Sequence, residues 1–109
     1  TNTVNGTSYR SRITGKYKMG GKTGTSQVRV ISSKEREDGI IKNKDLPWEM
    51  RDHGLFIGYG PIEKPTYSIS VIVEHGGSGS GSAAPIASKI MKYIFKSKIN
   101  LKRKNLNNV

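Results

Sequence analysis

Two kinds of hydrophobic spacing divide this chain. From His53 to Gly60, Leu55, Ile57 and Tyr59 alternate with Phe56 and Gly58. From Tyr67 to Glu74, Tyr67, Ile69, Val71 and Val73 alternate with Ser68, Ser70 and Ile72. A period of two marks β-strands. Two such runs, parted only by a loop bounded by Gly60-Pro61 and Lys64-Pro65, predict an antiparallel hairpin. A third extended stretch over 18–31 sets Val28 and Val30 on one side and Arg29 and Ile31 on the other. After the glycine-rich run Gly76–Gly81 the spacing changes: Ala87, Ile90, Met91, Ile94 and Phe95 recur every three or four residues. That stripe predicts an amphipathic helix over 82–97, with Ser82 as its cap and Pro85 in its first turn.

The predicted class is α+β: a three-stranded antiparallel sheet (18–31, 53–60 and 67–75) with the C-terminal helix on one face. One helix covers one face only. Phe56, Ile72 and Ile31 are assigned to the other, which is expected to be covered by chain outside these residues. The connection from Ser32 to Asp52 has little apolar periodicity. Short helical turns are expected after Ser32 or Ser33 and after Pro47, with Trp48 pinning the loop to the core. Near the start, Asn5-Gly6 reads as a turn and Tyr9–Ile13 as one helical turn.

At 109 residues and 33% hydrophobic, the chain is one small domain or part of a larger one. It has no cysteine, which excludes disulfides, thiolate metal sites and a thiol nucleophile. His53 and His75 have no cluster of ligands beside them, so neither a metal nor another cofactor is expected. No apolar run is long enough for a membrane span or a signal peptide. The net charge is +11, and no acid follows Glu74, whereas Lys89, Lys92, Lys96, Lys98, Lys102, Arg103 and Lys104 all do. Such a block suits a small basic module that binds nucleic acid or another polyanion. The preferred reading is a solvated helix face followed by a disordered basic tail over 98–109, without nucleic acid, because no aromatic residue follows Phe95 to stack on bases. Residues 1–97 then form the folded portion.

The candidate chemistry lies in Gly20-Gly21-Lys22-Thr23-Gly24-Thr25-Ser26-Gln27-Val28. On an extended backbone Thr23 and Thr25 share a side, and Gly24 lets another backbone approach. Lys22 offers positive charge to a carboxylate, and free edge N–H groups can pair with a peptide or hold an oxyanion. A phosphate-binding P-loop reading fails, since the required earlier glycine would fall on Lys16 and a helix would have to follow. Read alone, the tetrapeptide fits a glycine turn entering a strand equally well. A dinucleotide fingerprint over Gly79, Gly81 and Ala84 also fails, because no parallel strand follows the helix. Asp52 and His53 are adjacent on a strand and point to opposite faces, so a structural role at the loop junction is expected of them rather than a proton relay. The same holds for Glu74 and His75.

Taken together, these stretches resemble a known family. Met19–Val28 looks like the third active-site motif of the class B penicillin-binding proteins. Arg51-Asp52-His53-Gly54-Leu55-Phe56-Ile57-Gly58-Tyr59-Gly60-Pro61 resembles their next strand and turn. Tyr67–Val73, Glu74-His75-Gly76-Gly77 and Ala84-Pro85-Ile86-Ala87 resemble the last strand, glycine loop and final helix. The Arg-Asp-His and Glu-His-Gly-Gly segments point to the penicillin-binding protein 2 branch, the cell-elongation transpeptidases.

The resemblance implies a peptidoglycan D,D-transpeptidase that forms an acyl-serine, cross-links stem peptides and is trapped by β-lactams. It implies catalytic roles for Lys22 and Thr25, with Thr23, Gly24 and Thr25 binding the substrate carboxylate and the Thr25 amide serving as an oxyanion donor. It further implies a parent protein at the periplasmic face of the inner membrane, anchored by a segment absent here and working with a glycan polymerase. The family's Ser-x-x-Lys and Ser-x-Asn motifs do not occur in this chain. No nucleophile is therefore assigned, and the chain alone is expected to be inactive.

Overall fold

The computed structural model describes residues 1–29 and 32–107. Three strands form one sheet in the order β1 (Gly20–Ser26), β2 (His53–Gly60), β3 (Tyr67–Val73), each pair antiparallel. A six-residue helix, α1 (Ser33–Asp38), lies in the long connection, and α2 (Ala83–Asn107) ends the chain. Short 3-10 turns occupy Tyr9–Ser11, Asn43–Asp45 and Trp48–Met50. The predicted hairpin and helix are both present. β1 is shorter than its predicted 18–31. Ser26 pairs with His53, the first residue of β2, so the strand has no partner to continue along. Val30 and Ile31 lie outside the described residues.

The register decides which face carries the core. Phe56 stands opposite Thr23 on β1 and Val71 on β3. Directly opposed residues in an antiparallel pair point the same way. Phe56 therefore faces α2, where it is 1% exposed among Met19, Met91 and Phe95, with Ile69, Val71 and Val73 packed around them. This corrects the sequence reading that placed Phe56 on the far face. The helix side of β2 otherwise carries Gly54, Gly58 and Gly60, so periodicity counted Leu55, Ile57 and Tyr59 as the core face. They face outward, and Ile57 is 63% exposed. Ile72 is 68% exposed on that same open face, as expected of it.

Close approach explains the glycines. A Cβ on Gly21 or Gly58 would run into the Phe56 ring, and one on Gly60 would meet Phe95 at 2.5 Å and Met91 at 3.2 Å. α2 packs through Ala83, Ala84, Ala87, Met91 and Phe95, where small residues at its start let the backbone sit close to the sheet. Ser82 does not cap the helix in the expected manner, since its hydroxyl donates to the Ser78 carbonyl at 2.7 Å. Ser32 does cap α1, accepting from the Glu35 N–H at 3.1 Å.

The helix also runs past Ser97 to Asn107, through residues expected to form a disordered tail. Lys, Leu and Arg in that stretch are good helix formers, and neither Gly nor Pro interrupts them. Positive charge near its end complements the helix dipole.

Overfilling the seam between Gly60 and α2 should be costly. Gly60→Ala is expected to lower stability by about 1–3 kcal/mol in denaturant unfolding. Gly24→Ala, whose added methyl would meet only Leu55 at 3.5 Å, should leave the unfolding midpoint close to that of the parent.

Candidate functional site

β1 is an edge strand, paired with β2 on one side only. The carbonyls of Met19, just before the strand, and of Gly21 accept hydrogen bonds from outside the sheet, from the Asn2 side-chain amide at 3.0 Å and the Thr1 hydroxyl at 3.1 Å. The Thr23 carbonyl accepts from the Lys22 ammonium at 2.9 Å. Backbone groups of alternate residues turn to the same side of an antiparallel strand. The sequence 19, 21, 23 along the free edge therefore continues to Thr25, whose N–H faces outward with it.

The side chains divide between the two faces. Lys22 stands opposite Ile57, which in turn stands opposite Ser70, so the ammonium stem belongs to the open sheet face. A shallow groove of about 660 Å³ follows that face past Lys22, Ile57, Tyr59, Ser68 and Ser70. Thr23 and Thr25 share the opposite side, in register with Phe56 and Gly54. Thr25 is exposed, while Thr23 is half-buried with its hydroxyl 2.6 Å from that of Thr7. The four candidate residues thus form one edge on which an ammonium, two hydroxyls and an outward amide fall within about 10 Å of strand length. Gly79 packs behind Gly24, where a Cβ would strike the carbonyl oxygens of Gly24 and Leu55. The glycine loop thereby closes over the end of β1 and β2.

Thr1, Asn2 and Thr7 were not singled out in the sequence. Short polar residues around Asn5-Gly6 carry no periodicity, and their place along the β1 edge depends on tertiary packing.

The other candidates form a structural junction. Asp52 and His53 make no hydrogen bond to each other among those described. The Asp52 carboxylate accepts from the Asn43 side-chain amide at 3.2 Å and from the Val28 N–H at 3.4 Å, while the Asp52 N–H donates to Asn43 at 2.9 Å. The Asp52 carbonyl accepts from Gly77 N–H at 2.9 Å. His53 accepts the His75 backbone N–H at Nδ1, 2.9 Å away, which leaves its own ring proton on Nε2. His75 Nδ1 lies 2.9 Å from the Arg51 carbonyl and so carries a proton there. The Trp48 ring lies 4.4 Å from that of His75 but is 58% exposed and outside the core cluster, so it holds the connection to the junction rather than to the core as expected. Nearby, Arg29 makes a two-point pair with Glu35 at 2.8 and 2.9 Å. Those hydrogen bonds hold the Glu35 carboxyl below the usual carboxylate range and raise the Arg29 guanidinium. Among the described residues no three His, Cys, Asp or Glu side chains gather as metal ligands.

Comparison with known proteins fits this geometry. Residues 1–92 match the model of the penicillin binding protein transpeptidase domain. The peptidoglycan D,D-transpeptidase MrdA of Haemophilus influenzae is 39% identical over 92 residues, 84% of this chain and 14% of that protein. MrdA of Acinetobacter baumannii is 41% identical over 78 residues, 71% of this chain and 11% of its own length. The penicillin-binding protein (PBP2) solved in complex with MreC from Helicobacter pylori superposes with a TM-score of 0.67 at 30% identity. That match covers 87% of this chain and 15% of the other. This chain thus spans about a seventh of the length of such relatives.

Asp52→Ala removes the acceptor for Asn43 and Val28, and is expected to destabilise by about 1–2 kcal/mol. Limited proteolysis should then cut the 39–52 connection faster than in the parent chain.

Proposed function

The chain belongs to the penicillin-binding protein transpeptidase family, and on that premise we propose that its β1 edge is the carboxylate-binding strand of a peptidoglycan D,D-transpeptidase. In this reading the parent enzyme cuts the terminal D-Ala-D-Ala bond through an acyl-serine and passes the acyl group to an amine on a neighbouring stem. β-Lactams arrest it at the acyl stage. The observation that carries the proposal is the unpaired edge of β1, where exposed Lys22 and Thr25 flank the half-buried Thr23 beside an outward-facing amide.

Each group has a distinct task. The Lys22 ammonium supplies positive potential for the substrate carboxylate and for proton traffic at the nucleophile. The Thr23 and Thr25 hydroxyls hydrogen-bond the carboxylate, for which Thr23 must give up or share its contact with Thr7. The Thr25 N–H donates to the developing oxyanion, a role that belongs to the backbone. Gly24 keeps the strand approachable by an extended peptide. The serine nucleophile is supplied by chain outside these residues, so the 109-residue chain does not acylate by itself.

By the same reading, the parent acts at the periplasmic face of the inner membrane beside a glycan polymerase. No described helix of this chain is long and apolar enough to cross a membrane.

In the full-length protein, Lys22→Ala or Thr23→Val is expected to lower acylation by a fluorescent penicillin about 100-fold or more, the scale of losing a preorganised charged or oxyanion contact. Thr25→Ser should be milder than Thr25→Pro, which deletes the amide donor. Labelling of the isolated chain, or unchanged acylation in the Lys22 and Thr23 variants, would overturn the assignment.

A further inference from the structure

At the entry to β1 a second groove of about 540 Å³ is cut between three separate segments. Lys16 and Lys18 come from the approach to the strand, Lys64 from the β2–β3 loop, and Lys98 and Lys102 from the far part of α2. Three of these lysines meet at Tyr17. The ammonium groups of Lys16, Lys98 and Lys102 lie 5.6, 5.7 and 6.0 Å from its ring centroid. The ring is held by Phe95, with centroids 5.9 Å apart. Lys98 is steered further by the Thr66 hydroxyl at 3.4 Å. Among the described residues, Glu63 is the one acid lining the groove.

Five like charges lining one groove, three of them over one aromatic ring, repel one another. An anion entering the groove relieves that repulsion, and the field it meets is sustained by groups from distant parts of the sequence. The half-buried tyrosine adds a flat apolar face of the kind that sugar rings pack against. Carboxylates together with sugar rings define an acidic glycopeptide. The location favours the same ligand. Lys18 lies four residues before Lys22, about 13 Å along an extended backbone. A polymer held in the groove could therefore reach the β1 edge with one of its peptide branches.

We propose that this groove binds the carboxylate-bearing peptidoglycan strand whose stem peptide is presented to β1. The inference rests on the transpeptidase reading for the identity of the polymer, and on the groove alone for the site. Its binding is electrostatic and weakens as salt rises. The groove lies away from the reacting bond, so it positions polymer and takes no part in acyl transfer.

The test uses the full-length protein carrying this chain, co-sedimented with purified peptidoglycan sacculi at low and high salt, with double-stranded DNA as a parallel ligand. Lys98→Glu with Lys102→Glu is expected to weaken sacculus binding about tenfold at low salt, while penicillin acylation stays at the parental level. Lys34→Glu with Lys44→Glu, an equal change of charge away from the groove, should retain binding. Parental binding by the groove variant, an equal loss in the control pair, or a loss seen with DNA but not with sacculi would each overturn the inference. A parent protein that fails to acylate with penicillin would overturn the transpeptidase reading instead, whatever the sacculi show.

Discussion

The Phe56 ring lies across the positions of Gly21 and Gly58, under Met19, Met91 and Phe95, and the polarity of the whole sheet follows from that contact. Burying so large a side chain from the central strand fixes which face meets α2. The glycines on either side are the space that the ring requires. Once Phe56 points inward, Leu55, Ile57 and Tyr59 must point outward, and with them Lys22, their neighbour across the β1–β2 ladder. The placement of a cation on the open face is thus set by an apolar side chain in the adjacent strand.

The same alternation separates the candidate chemistry into complementary parts. The Lys22 stem starts on the open face and its ammonium turns to the Thr23 carbonyl at the edge, the two threonines lie on the other side, and the backbone presents the Thr25 amide along the edge. A ligand held by all three must straddle the strand, which suits an extended peptide better than a compact metabolite. The exposed Ile57 and Ile72 leave an apolar face beside that edge. Covering it would remove water from around the Lys22 ammonium and strengthen its interaction with a carboxylate.

The sequence made the elements legible because their periods differ. Two strands of alternating residues, a three-and-four spacing in the helix and a glycine-rich turn between them survive any reasonable choice of register. The candidate edge was legible for another reason, since Lys-Thr-Gly is compact in sequence as well as in space. Facing was less accessible. Three glycines on the helix side of β2 carry no hydrophobic signal, so the more hydrophobic set at 55, 57 and 59 reads as the core although it is the exposed one. The far end of α2 was hidden differently: with few apolar residues to bury, its helicity reflects intrinsic propensity, while a composition rich in Lys and Asn suggests disorder. The basic groove at Tyr17 brings together residues more than 80 positions apart. No local pattern encodes such a meeting.

The segment from Thr1 to Thr7 runs beside β1 and already satisfies two of its outward carbonyls and the Thr23 hydroxyl. Any extended chain docking there would trade partners with existing polar groups rather than find bare ones. Such swaps are close to neutral, because each bond gained is offset by one released. Tight attachment would then have to come from what the resident side chains lack, namely a full negative charge for the ammonium. Neutral peptides would compete poorly for this edge, and anionic termini would be selected.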